Sequence, residues 1–93
     1  MEQPIDMICV CASDGSLTPL RFRIFPKDQL AQTAAVTQVI SCKPMRYIGI
    51  ECVEYLCIAK LGEQEKPFTL RFDVRSHSWF LVEKSPVKRS YLF

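Results

Sequence analysis

Few side chains in this chain are equipped for chemistry: five cysteines, a single histidine, two nearby carboxylates and a set of strand arginines. A cysteine nucleophile needs one of Cys9, Cys11, Cys42, Cys52 or Cys57 to meet His77, with a third group orienting the imidazole. His77 stands in Ser76-His77-Ser78, a turn-like stretch where serine and histidine are ordinary surface residues. Glu51 and Glu54 lie three residues apart on one expected strand, hence on opposite faces unless a bulge intervenes, and in that arrangement do not form an acid and base pair. Cys9-Val10-Cys11 puts two thiols on one strand face, and Cys52 and Cys57 are the partners from which a four-thiolate zinc site could be built. Their spacing is not that of the Cys-x-x-Cys knuckles of zinc ribbons and fingers. The expectation is a protein that is not an enzyme, with no cofactor and no metal, whose thiols occupy plain core or strand positions.

Phosphate-binding loops require clustered glycines before a helix, whereas Gly15, Gly49 and Gly62 stand far apart. Binding to a surface is a better prospect. Arg21, Arg23, Arg71 and Arg75 are expected on the exposed faces of two strands, with Tyr47, Tyr55 or Trp79 nearby, the combination that small barrels use on single-stranded nucleic acid. Asp73, Glu51 and Glu54 are placed to neutralise them across strands. The net charge of +2 and pI near 8.3 also fall short of the pI above 9 typical of a dedicated nucleic-acid domain. The reading is therefore a binding or interaction module. It engages a protein partner through its arginine-bearing face or an unpaired strand edge, with a nucleic-acid-binding barrel as the alternative.

The elements that position these residues alternate with a period of two. In Pro19-Leu20-Arg21-Phe22-Arg23-Ile24-Phe25 the residues Leu20, Phe22 and Ile24 share one face and the arginines the other. Phe68 to Arg75 repeats the pattern, with Thr69, Arg71, Asp73 and Arg75 expected outside. Asp14-Gly15 predicts a hairpin between a strand over Met7 to Ala12 and the Leu20 strand, and Arg75 to Ser78 predicts another before Trp79-Phe80-Leu81-Val82. Tyr47 to Leu61 reads as one long strand whose alternation changes phase near Cys52 and Val53, where a bulge is expected. Lys27 to Ile40 reads as a turn and then a strand, closed by Lys43-Pro44.

Five or six such strands, short turns and no long helix predict an all-β fold, an antiparallel meander curled into a small barrel. Phe22, Ile24, Leu70, Phe72, Trp79 or Phe80, and Leu81 are expected to fill its interior and leave no cavity of ligand size. At 93 residues there is room for one domain, expected over residues 1–84, with 85–93 as a C-terminal tail. Hydrophobic residues at 48% and charged residues at 24% fit an ordinary globular chain rather than a disordered one. Met1 to Asp6 carries acids where a secretory signal has lysine or arginine, and no run approaches the roughly 18 apolar residues of a membrane helix. The odd number of cysteines adds to the expectation of a cytoplasmic protein with reduced thiols and no membrane association.

Ile8-Cys9-Val10-Cys11 with Asp14-Gly15, then Pro19-Leu20-Arg21-Phe22-Arg23, Phe68-Thr69-Leu70-Arg71-Phe72 and Trp79-Phe80-Leu81 resemble small all-β proteins of Gram-positive anaerobic bacteria. The resemblance spans roughly residues 5 to 84. It implies a barrel similar to the Src-homology-3 type, no assigned activity, and no catalytic residue to carry over.

Overall fold

The computed structural model describes residues 2–82; the expected tail, 85–93, lies outside the described residues. Six strands follow in chain order: β1 (Glu2–Cys11), β2 (Leu17–Ile24), β3 (Gln32–Tyr47), β4 (Ile50–Leu61), β5 (Gln64–Asp73) and β6 (Ser78–Val82). Each pairs antiparallel with the next, and β6 returns to β1, so the meander closes into a barrel. Closure follows from the alternation: every strand has one apolar face, and curling the sheet hides all six faces together.

The core consists of Ile5, Phe22, Ala34, Tyr55, Cys57, Ala59, Leu70, Trp79 and Leu81. Fully burying a side chain such as Phe22 or Leu70 stabilises the fold by about 1.5 to 3 kcal/mol. Ile24 and Phe72, expected inside, pack partly buried against this core. Phe80 turns outward to Arg71.

Three departures from strict alternation shape the barrel. In β2, Ile8 pairs with Arg21 but Cys9 pairs with Pro19, so Leu20 is the extra residue of a bulge. The bulge buries Pro19 and leaves Leu20, expected inside, 44% exposed. In β3, Thr37 and Ile40 are skipped in the same way, and the Thr37 hydroxyl donates instead to the Ile58 carbonyl at 3.2 Å. The bulge expected near Cys52 and Val53 is absent, since β4 keeps its register against β5 from Cys52 to Leu61. Cys52 lies on the outward parity of β4 and is nonetheless only 2% exposed.

The long strand expected over Tyr47 to Leu61 breaks at Ile48-Gly49, a two-residue hairpin turn with φ of +50° and +76°. Positive φ at both positions is what a type I′ turn demands, and glycine meets it freely whereas a β-branched isoleucine does not. Pro44 does not end β3; the strand continues to Tyr47. Proline is tolerated there because β3 beyond Ala35 pairs only with β4, so no neighbour lacks the missing N–H.

Candidate functional site

An opening arises where β2 and β3 part. They pair only through Arg21–Ile24 and Gln32–Ala35. Above that point Leu17 to Leu20 belong to the β1 side of the barrel and Val36 to Tyr47 to the β4 side. Pro19 and Pro44 both lie along this seam, where each strand has a single partner. The seam opens into a pocket of about 720 Å³ at the end of the barrel formed by the β1–β2 and β5–β6 turns.

Its walls come from two arcs of the closed sheet. β4, β5, β6 and the turn between the last two supply Val53, Tyr55, Phe72, Val74, His77 and Trp79. The rings run on from one another: Tyr55 and Trp79 have centroids 5.3 Å apart, Trp79 and Phe72 5.1 Å, and Phe72 meets His77 edge-on at 5.9 Å. β1, β2 and β3 supply Cys9, Cys11, Leu17, Cys42 and Pro44, with Gly15 and Ser16 at the lip. In a six-stranded ring these two arcs face each other across the axis.

The polar groups of the pocket are few and partly engaged. The Tyr55 hydroxyl donates to the Leu17 carbonyl at 2.8 Å, tying β4 to the start of β2 across the barrel. Burial pushes this phenol up to about 12, reinforced by the Cys42 thiol, with which it hydrogen-bonds, and by Cys9. Desolvation, and then the neighbouring Cys11, raise the Cys9 thiol as well. The Ser16 hydroxyl donates to Asp14 Oδ1 at 2.8 Å inside the turn. His77, held at a φ of +56°, is exposed on the rim.

The four expected arginines do not form one patch. Arg21 and Arg23 are exposed on β2, Arg23 opposite Asp6, and Arg75 is exposed in the β5–β6 turn. Arg71, expected outside in water, is only 5% exposed. It does face outward, since Leu70 and Phe72 point in, but its guanidinium is capped by the rings of Tyr47 at 4.5 Å and Phe80 at 4.9 Å. Its Nε donates to Asp73 Oδ1 at 2.9 Å, its Nη2 to Glu2 Oε1 at 2.9 Å, and its Nη1 to Glu2 Oε2. This fork-to-fork pairing with Glu2 keeps Arg71 charged and holds the Glu2 carboxyl below its usual range despite some desolvation. β2 and β5 are three strands apart in either direction round the barrel, so Arg21 and Arg23 stand on the far side from Arg71.

Nor do the four thiols considered for zinc converge. Cys9 and Cys11 line the pocket and Cys57 is in the core. Cys52, opposite Asp73 on the outer face, is buried beside Arg71. Among the described residues no group of three or more His, Cys, Asp and Glu is placed to hold a metal ion. Glu51 faces Arg46 on β3 whereas Glu54 faces Lys43 and Arg71, which keeps the two carboxylates apart.

The expectation of a filled barrel thus fails at one end, where Leu17, Cys42, Pro44, Val53 and Val74 line a space that the alternation alone does not reveal. A signal for them exists in the sequence: prolines inside two alternating runs mark strand positions with no partner on one side. No family model, no curated protein and no solved structure matches this chain.

Proposed function

We propose that this protein is a non-enzymatic binding module of the cytoplasm that takes an apolar small ligand into the open end of its barrel. The observation that carries the reading is the pocket itself. At about 720 Å³ it falls within the roughly 300 to 1,000 Å³ of small-molecule sites, with the expected apolar and aromatic lining and a few polar groups. Five cysteines, all free, accord with a reducing compartment.

A protein partner adding a strand at the seam edge of β3 is the weaker reading. Two bulges, Lys43, Pro44 and Arg46 interrupt that edge, the devices by which natural sheets discourage pairing. Nucleic acid is weaker still, because Arg71 is spent on Glu2 and Asp73 and the remaining arginines are divided between a sheet face and a turn.

The test is a titration with N-phenyl-1-naphthylamine, an uncharged dye whose emission rises on leaving water. Saturable one-to-one binding is expected, with a change in the emission of Trp79, the single tryptophan. Cys42→Phe, which fills the pocket from an exposed position, abolishes it. Binding that survives Cys42→Phe unchanged would place the dye on the outer apolar surface around Ile8, Val10 and Leu20 instead, and no binding at all would end the proposal.

A further inference from the structure

The composition of the two arcs narrows the ligand. Among the described residues lining the pocket there is no lysine, arginine, aspartate or glutamate. A charged group carried past His77 on the rim into the interior would lose its water and find no Lys, Arg, Asp or Glu to pair with, and unpaired burial of a charge is among the most unfavourable events in binding. Two of its polar groups are themselves held neutral: the Tyr55 phenol and the Cys9 thiol both resist ionisation because they are desolvated. One wall is a run of rings, Tyr55, Trp79 and Phe72, tilted 38° and 45° at successive contacts. Tyr55 and Trp79 are largely buried and Phe72 half-buried, and the ring surface they leave to the pocket favours another ring beyond its area of contact. The facing wall carries the sulfurs of Cys9, Cys11 and Cys42, polarisable atoms that pack well against aromatic edges. A flat ring gains ring and sulfur contacts from these walls beyond the apolar burial that a saturated chain would also gain.

Polar recognition is limited in the same way. Tyr55 has committed its proton to Leu17 and also hydrogen-bonds the Cys42 thiol, so towards a ligand its oxygen can only accept, through the capacity that Cys42 leaves. A hydroxyl or N–H on the ligand fits that lone pair; a carboxylate or phosphate, which can only accept, does not.

Resting on the reading of the pocket as the binding site, we infer that its occupant is an uncharged, flat aromatic small molecule bearing a hydrogen-bond donor. Three bicyclic probes test the charge and the flatness that this inference requires: 2-naphthol, 2-naphthoate and decahydro-2-naphthol, each competed against bound N-phenyl-1-naphthylamine on the full chain. 2-Naphthol is expected to displace the dye, 2-naphthoate to bind at least tenfold more weakly, and the saturated alcohol at least threefold more weakly. A naphthoate affinity closer than tenfold overturns the requirement for an uncharged ligand, and a decahydronaphthol affinity closer than threefold overturns the requirement for a flat ring. If the dye binds and 2-naphthol fails to displace it, the inference falls while the pocket stands as a site. If the dye itself does not bind, both fall. Val74→Trp, which narrows the pocket from an exposed turn position, provides a second block should Cys42→Phe fail to fold, and is expected to weaken 2-naphthol at least tenfold.

Discussion

Arg71 and Phe72 are consecutive residues of β5, yet they belong to regions of opposite character. Outside, around Arg71, hydrogen bonds to Glu2 and Asp73 and the rings of Tyr47 and Phe80 engage the guanidinium on every side. Inside, around Phe72, a pocket opens whose walls are apolar and whose space no side chain of the described residues fills. The contrast separates structural polarity from binding capacity. The charged cluster, which resembles a binding site in the sequence, is saturated by its own chain and joins the first strand of the barrel to the fifth. The apolar end, which resembles ordinary core, is where open space remains among the described residues. Breaking each region in turn should therefore have opposite consequences for stability and for ligand.

The largest effect belongs to the saturated region. Arg71→Ala removes the partner of two carboxylates, Glu2 and Asp73, at once. Loss of one member of a buried ion pair typically costs about 3 to 5 kcal/mol; because the Glu2 side chain keeps 27% exposure, about 2 to 4 kcal/mol is expected here. Urea unfolding measures it, and a loss under about 1 kcal/mol would show that the cluster contributes little. The pairing also carries an acid signature. Glu2 titrates lower in the folded protein than at its ordinary value of 4.5, so its contribution is present above that pH and is lost as the pH falls through the folded value. Glu2→Gln should be less stable than the parent at neutral pH and should lose less on acidification.

Next comes the core beneath the pocket, where the sign reverses. Cys57 is pushed up to about 11 from an ordinary 9.0 by burial. A raised folded value means that the neutral thiol is favoured by folding, so the stabilisation is complete below about pH 9 and disappears as pH climbs towards 11. A difference of that size between the folded and unfolded thiol corresponds to about 2 to 3 kcal/mol. Comparing urea midpoints of the parent and Cys57→Val from about pH 8 to about pH 11 isolates this slope, which the valine variant should lack.

How far the sequence reveals these regions depends on how local each cause is. Alternation in β2 and β5, the Asp14-Gly15 turn and the inward set of Phe22, Leu70, Trp79 and Leu81 are local, and the all-β barrel follows from them. The outward face of Arg71 is legible in the same alternation, but its burial depends on Glu2, 69 residues away, and on a hairpin that brings Tyr47 over it. No short-range pattern contains that. Leu20 reads as inward because a bulge changes the parity within a strand without any glycine to announce it. Pro19 and Pro44 mark the seam, but the pocket itself is not legible in the sequence because it results from unequal pairing, an eight-residue β2 beside a sixteen-residue β3, and length mismatch shows only once the partners are known.

A smaller effect sharpens the picture of the hairpin that covers Arg71. Ile48, 82% exposed, makes no packing contribution that offsets its φ of +50°. Left-handed backbone costs an ordinary residue about 1 to 2 kcal/mol, and asparagine tolerates it better. Ile48→Asn, creating the preferred Asn-Gly turn, should stabilise the protein by about 1 kcal/mol and raise Tm by about 4 to 8 °C. No gain in a thermal melt would mean that the turn's strain is relieved elsewhere.

The smallest expected effect is the most informative about function. Cys42 is exposed and belongs to a stretch of β3 with only one strand neighbour, so Cys42→Ser removes little burial and should change stability by under about 0.5 kcal/mol. It does, however, exchange a polarisable sulfur at the pocket wall, and a hydrogen-bonding neighbour of Tyr55, for a hydrated hydroxyl. Ligand affinity should therefore fall severalfold in calorimetric titration with 2-naphthol while the urea midpoint stays where it was. If stability and affinity fell together, Cys42 would have to be counted with Arg71 as part of the scaffold. If affinity alone falls, this end of the barrel is shaped by something other than the demands of folding, since a surface that the fold does not need and a ligand does is what distinguishes a binding site from an incompletely packed core.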